Sequence, residues 1–369
     1  MIDGKNFIFT SESVCSGHPD KICDSISDSI LDEVLKQDPY GKVAVETLVT
    51  YGRIVLAGEI SANAKVNFES VARKRIKQLG YTNPLFNFTD KSPIDIYIHH
   101  QSNEIARGVN RKGAGDQGMM FGYACRETKN LMPLPVSIAH KLAEKLDEEK
   151  IKNPFLYPDG KTQVTVEYKN SAPYKINQVV IAVPHSKDLK HNDIKDFVYE
   201  NIVKKVLGDF GFKIHNKNLI VNGTGVWHMP GPASDTGVTG RKIIVDTYGG
   251  YARVGGGAFS GKDATKVDRS GAYAARLLAK NIVASNMAEK AEVRLAYFIG
   301  AKKPVMQDVE TFGTERKEKK VILDFMEKIM DTSVEGIIEG LELRKPVYLK
   351  TSTYGHFGRS KFNWEKIVS

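Results

Sequence analysis

The tightest constraint on the fold is an order of elements that recurs three times. A helix is predicted over about 20–37, where Ile22, Ile26, Ile30 and Val34 recur every four residues. Pro19 suits its first turn, and Asp38-Pro39-Tyr40-Gly41 ends it. Strands over 42–51 and 53–61 follow, hinged at Gly52, then a helix near 65–79 and a strand near 94–98. The middle segment repeats this with a helix near 135–150, strands 162–168 and 176–183, a helix near 192–207 and a strand at 219–221. The last has a helix over 268–286, strands 292–298 and 304–312, helices over 319–330 and 333–341, and an extended piece at 346–350 that closes it. Helix, two strands, helix, strand, three times over, reads as a triplicated α+β unit.

A chain of 369 residues is long enough for two or three such domains. Its 53 basic residues outnumber 44 acidic ones, an excess that suits nucleic acid, anionic lipid or a polyanionic small substrate. No run of five like charges occurs and no basic tract interleaves with aromatics, which argues against nucleic acid. Cys15, Cys23 and Cys125 lack metal-ligand spacing and fit a reducing cytoplasm. No signal-peptide h-region and no run of about 18 apolar residues is present, so a soluble cytoplasmic protein is expected, away from membranes.

The chemistry concentrates between Gly255 and Arg269, where four glycines, two lysines and two aspartates approach a helix. Glycines let backbone N–H groups close on an anion, lysines neutralise it, and carboxylates beside it make sense with a divalent cation. The run from Gly256 to Gly261-Lys262 nearly spells a phosphate-binding P-loop, but Asp263 stands where a hydroxyl should hold magnesium. A polyphosphate site of another type is expected. His18-Pro19-Asp20-Lys21 opens the first helix, whose N-terminus favours anions, so these side chains are candidates for a phosphate and its metal. Asp268 opens the third unit's helix in the same way. Packed about a pseudo-axis, Asp20 and Asp268 would meet around one or two Mg²⁺. Lys161 follows the turn Asp159-Gly160, and Arg241 and Lys242 introduce the apolar strand Ile243-Ile244-Val245-Asp246. Glu46 lies in an apolar strand, so a half-buried carboxylate needing a cation is expected there. Trp227 is a candidate for base stacking or for the core. Gly113-Ala114-Gly115-Asp116-Gln117-Gly118 is a second glycine-rich turn, and the polar stretch 101–112 reads as a mobile surface loop or an active-site lid.

Phe9-Thr10-Ser11-Glu12-Ser13-Val14, Gly17-His18-Pro19-Asp20-Lys21, the Gly113–Gly118 turn, Thr239 to Gly250, Gly255 to Ser270, and Tyr354-Gly355-His356-Phe357-Gly358-Arg359 together resemble the S-adenosylmethionine synthetase family, in its order and over nearly the whole chain. The resemblance implies three similar α+β domains related by a pseudo-threefold: 1–101, a mobile active-site loop at 102–112, 113–228 and 229–369. It implies that L-methionine attacks the ribose 5′ carbon of ATP and displaces triphosphate, which is then cleaved to pyrophosphate and phosphate. Two Mg²⁺ per site and K⁺ are the implied cofactors. A homodimer or homotetramer with sites between subunits is the implied assembly.

The family's roles carry over by motif. His18 resembles the residue between ribose O5′ and triphosphate. Asp20 and Asp268 resemble Mg²⁺ ligands, and Glu46 the K⁺-site carboxylate. Lys161, Arg241, Lys242, Lys262 and Lys266 would line the polyphosphate. Glu59, Gln101, Asp235 and Lys266 would meet methionine, and Asp116 and Asp235 the ribose. Trp227 would stack on adenine, with Asp159 and Ala258 also in the ATP set. The chain departs from the family in a shorter 101–112 loop, in Val226-Trp227-His228-Met229-Pro230-Gly231-Pro232 where a Phe-bearing, double-glycine stretch is usual, and in Cys15-Ser16 where many members have Ser-Glu.

Overall fold

The computed structural model describes residues 5–100 and 113–368, so Gln101 and the expected lid over 102–112 lie outside the described residues. The architecture is α+β, with three sheets and helices packed against them. In the first unit, helix α1 (Pro19–Gln37) precedes the hairpin β2 (Lys42–Thr50) and β3 (Arg53–Ser61). Gly52 turns that hairpin at φ 62. Helix α2 (Phe68–Gln78) then carries the chain over to β4 (Ile94–His99), parallel to β3. The second unit repeats this. Helix α3 (Leu134–Lys152) leads to the hairpin β6 (Lys161–Lys169) and β7 (Ala172–Ala182), and a helical crossover leads to β8 (Leu219–Val221), parallel to β7. That crossover is the continuous helix expected near 192–207, with α4 (His191–Val198) and α5 (Lys204–Asp209) joined without a break by a π turn over Tyr199–Val203.

The third unit starts in the same way, with α7 (Val267–Ala284), β10 (Lys290–Tyr297) and β11 (Met306–Glu310). It continues with α8 (Lys319–Ile329) and α9 (Val334–Gly340). The expected closing strand at 346–350 is not formed. The backbone N–H groups of Tyr348 and Leu349 instead donate to Asp32 at 3.0 and 2.9 Å, and the chain turns as a short 3-10 helix over Leu349–Thr351. The expected strand at 243–246 is likewise a helical turn, α6 (Ile243–Asp246). Curling there lets Asp246 reach a buried lysine, described below, which an extended chain would turn away.

Three strands escape the periodicity: β1 (Phe7–Val14), β5 (Gly118–Cys125) and β9 (Gly237–Val238). Each adds an edge to a hairpin of another unit. β9 pairs with β2, β1 with β6 along eight residues, and β5 with β10. This cyclic exchange ties the units together. It also brings His18 beside Lys161, because Val14 at the end of β1 faces Lys161 at the start of β6.

The apolar core falls in two clusters. One joins α1, α7 and the sheets of the first and third units, and the other packs α3 on β6, β7 and β8. Helix α1 is buried on nearly all sides, its aspartates included, and a buried carboxylate is tolerated only with partners. Arg269 supplies one set, donating to both oxygens of Asp28 at 2.7 and 2.9 Å with both side chains fully buried.

Candidate active site

His18 caps α1, and its Nδ1 accepts the Asp20 N–H at 3.2 Å. The proton of the neutral ring therefore sits on Nε2, a buried atom with no partner. Burial first, then Lys242 and Lys161, lowers the His18 pKa to about 3. Asp20 Oδ2 accepts from Lys242 Nζ at 2.5 Å and Oδ1 from the Val238 N–H at 3.0 Å. Arg241 Nε lies 3.8 Å from the same carboxylate. Burial disfavours the charged carboxylate, but Lys242 and Val238 outweigh it and Asp20 stays ionised below its ordinary range. Arg241 and Lys242 thus face one carboxylate beside an unpartnered N–H donor, and Lys161 acts on the same ring.

His140 is also lowered to about 3 by burial, so both rings are neutral in the fold and bind a proton only when the chain unfolds. Between about pH 3 and the ordinary histidine value of about 6.5 the unfolded state holds more protons, so stability rises with pH across that window. The buried carboxyls of Asp32 and Asp159, raised to about 6 by burial, act in the opposite sense, so the histidine contribution is read as a difference. Lowering the pH from 7 to 4.5 should change the melting temperature less favourably in the wild type than in a His140→Phe variant, and identical pH responses in the two would contradict the buried neutral ring.

A second cluster lies on the glycine-rich loop. Lys262 Nζ donates to Asp268 Oδ2 at 2.6 Å, and Lys266 pairs closely with Asp263. Asp263 also accepts the Val43 N–H at 2.7 Å, so the residue that breaks the P-loop pattern pins this loop to β2. Gly261 has φ +81, and a Cβ there would come 2.0 Å from the Val45 carbonyl. Only glycine lets the loop lie this close to the strand. The Gly113–Gly118 turn joins the cluster, since the Gly115 N–H donates to the Thr265 carbonyl at 3.0 Å. Asp116 is half-buried and accepts the neighbouring Gln117 N–H. Glu46 and Glu59 share the open face of the first sheet. Desolvation by neighbouring groups and then Glu59 raise the Glu46 carboxyl, against the pull of Lys262 and Lys266. The His99 ring nitrogen Nε2 lies 3.5 Å from Glu59 Oε1.

Several expectations need correction. Lys21 is no ligand at the helix mouth. It is buried between Asp24 at 2.8 Å and Asp246 at 2.6 Å. Glu46 is exposed and meets no cation at ion-pair distance among the described residues, because it falls on the strand's outer face. Asp20 and Asp268 do not meet within one chain. The start of α7 touches α1 at Asp28, eight residues and about 12 Å along the helix from Asp20. Among the described residues no group of three or more acidic, histidine or cysteine side chains forms a metal cluster.

The remaining residues are placed as follows. Asp159 is buried, with its carboxylate used up on the N–H groups of Gly160 at 2.6 Å and Gly231 at 2.9 Å, so it fastens the Gly231 stretch to the Lys161 turn. Burial raises it to about 6 against those two bonds. Trp227 is half-buried, donating Nε1–H to the Met229 carbonyl at 2.7 Å. Asp235 and Arg241 are exposed, and Ala258 packs on the backbone of Gly240 beside Arg241. Cys15 is a packed thiol whose pKa burial raises.

Models of the S-adenosylmethionine synthetase N-terminal, central and C-terminal domains match residues 6–103, 111–227 and 229–366. The chain belongs to the S-adenosylmethionine synthetase family. An S-adenosylmethionine synthase of Mesoplasma florum is 48% identical over 368 residues, covering 98% of this chain and 97% of the relative. Another, of Clostridium tetani, is 48% identical over 380 residues with the same coverage. Among the described residues no helix is long and apolar enough to cross a membrane.

Sequence reasoning missed Asp24, Asp28 and Asp246. The signal for the first two was present as aspartates at 20, 24, 28 and 32, the same four-residue spacing that marked the isoleucines.

Proposed function

We propose that the chain makes S-adenosylmethionine from L-methionine and ATP. The methionine sulfur forms a bond to the ribose 5′ carbon as the C–O bond breaks, its electrons leaving with the triphosphate. The sulfur becomes a sulfonium, and water then splits triphosphate into pyrophosphate and phosphate. A thioether needs no base, so catalysis rests on positioning and on stabilising the leaving anion. The observation that carries this reading is His18, a buried N–H donor without a partner, with Lys161 and Lys242 in its field. It would donate to the oxygen on which charge develops, while Lys161, Arg241 and Lys242 hold the phosphates. A neutral ring suits that task across the physiological range.

The other contacts follow the family. Trp227 and Ala258 would flank adenine, Asp159 would hold the loop that carries them, and Asp116 and Asp235 would take the ribose. Glu59, Gln101, Asp235 and Lys266 would bind the methionine ammonium and carboxylate. Mg²⁺ uses one or two carboxylates together with substrate phosphates. Asp20 and Asp268 fit that chemistry, each being a carboxylate paired with a lysine that phosphate oxygens would attract. Glu46, without a cation partner among the described residues, fits K⁺. Bound there, the ions would neutralise charge on the triphosphate.

The two clusters are complementary in charge. The His18 cluster is cationic, whereas the Lys262 cluster carries Asp116, Asp263, Asp268, Glu46 and Glu59 against Lys42, Lys262 and Lys266. We therefore place each site between two copies of the chain, with the His18 cluster of one meeting the Lys262 cluster of the other. The open face of the first sheet, with Tyr97 exposed in the same cross-strand row as Glu46, supports a homodimer, alone or within a tetramer. The domains are taken as 1–101, 113–228 and 229–369 joined by the 102–112 loop. Three free, buried cysteines fit the cytoplasm.

Mixing two inactive variants tests the shared site. Asp20→Asn and Lys262→Ala subunits, unfolded and refolded together, should recover about 25% of wild-type methionine-dependent ATP turnover, since half the dimers then hold one intact site of two. A mixture as inactive as its components would place each site within one chain.

A further inference from the structure

Four aspartates stand every fourth residue along α1, at 20, 24, 28 and 32, and residues so spaced share one helix face at steps of about 6 Å. Each accepts backbone N–H groups from a segment distant in sequence. Asp20 takes Val238 at 3.0 Å, Asp24 takes Gly240 at 2.9 Å, and Asp28 takes Gly261 at 2.9 Å. Asp32 takes Tyr348 and Leu349. Ser27 on the same helix adds a contact to Thr239 Oγ1 at 2.9 Å, and that hydroxyl accepts the Thr47 N–H at 2.9 Å. The chain from Val238 to Gly240 is thus fastened residue by residue before it releases Arg241 and Lys242. Gly261 is fastened immediately before Lys262.

We infer that this row of carboxylates is a template that sets the phosphate-facing cations in register with His18 on the same helix, and that Asp24 is a positioning residue for Arg241 and Lys242. The inference rests on the reading of those two cations as triphosphate ligands. Asp24 reaches no substrate itself, being fully buried. Its Oδ1 fixes the backbone one residue before Arg241, and its Oδ2 accepts from Lys21. Lys21 goes on to hold Asp246, at the far end of the helical turn that follows Lys242. The Gly240 bond therefore sets the backbone ahead of the two cations, while the Lys21 link to Asp24 and Asp246 balances the buried charge. A cation aimed at an oxyanion loses much of its effect when misplaced by about 1 Å.

Geometry and charge separate in two substitutions. Asp24→Asn keeps an acceptor at the right reach for the Gly240 N–H but discards the charge. Asp24→Glu keeps the charge and pushes the acceptor out by one methylene. With turnover expressed per folded molecule, Asp24→Asn should melt at lower temperature yet keep kcat within about 5-fold of wild type. Asp24→Glu should lose about 30-fold or more in kcat, with the methionine KM changed less than 3-fold, and bind inorganic tripolyphosphate at least 10-fold more weakly. If Asp24→Glu does not fold, Asp24→Ala takes its place with the same expectation. Wild-type kcat in the Glu or Ala variant, or an Asn variant as slow as they are, would overturn the positioning role and leave Asp24 a stabilising residue. A wild-type enzyme that forms no S-adenosylmethionine in the same assay would instead overturn the functional reading.

Discussion

Replacing His18 by Asn lowers kcat by about 10²–10³-fold, the usual effect of removing one preorganised donor from a developing oxyanion, while the fold survives. The substitution is chosen because asparagine is itself a good N-cap, so the start of α1 keeps its acceptor for the Asp20 N–H. What disappears is the Nε2 donor, buried and without a partner in the free chain. A group left unsatisfied in the resting protein is costly, and that cost is recovered when a substrate oxygen arrives. Steady-state kinetics beside a thermal melt checks this. Near-wild-type kcat at an unchanged melting temperature would remove His18 from the reaction.

Asp20→Asn produces a loss of similar size, about 10²-fold or more in kcat, by another route. Asparagine can still accept the Val238 N–H, so the backbone of β9 stays in place. It cannot hold Lys242 by charge at 2.5 Å, nor serve as an ionised ligand to a divalent cation. The apparent affinity for Mg²⁺ should weaken together with kcat, whereas the methionine KM should hardly move, because no methionine contact is assigned to Asp20. Titrating Mg²⁺ at saturating ATP makes the test. Wild-type Mg²⁺ dependence would deny Asp20 its ligand role.

The helices and hairpins were legible because each carries its own periodicity. Ile22, Ile26, Ile30 and Val34 point α1 at the core, and Gly52 marks the turn between β2 and β3 as expected. Strands β1, β5 and β9 were hidden because each completes a sheet begun elsewhere in the chain, and the pattern of an edge strand depends on its neighbour. Ile243-Ile244-Val245 looks like a strand by composition. The buried Lys21, needing Asp246, decides for a helical turn. Lys21 was misread for a related reason, since its position beside His18 and Asp20 suggested a ligand while its neighbours in space made it a structural cation. The cations of the site stood out by motif, but their grouping did not. Nothing in the order of residues separates the His18 cluster from the Lys262 cluster, and only the packing of α7 against the third turn of α1 holds Asp20 and Asp268 apart.

The central claim is that methionine displaces the whole triphosphate of ATP. The chain incubated with ATP, Mg²⁺ and K⁺, with and without L-methionine, and analysed by mass spectrometry tests it most directly. The account predicts S-adenosylmethionine, pyrophosphate and phosphate appearing together and only when methionine is present. ADP formed regardless of methionine would contradict it.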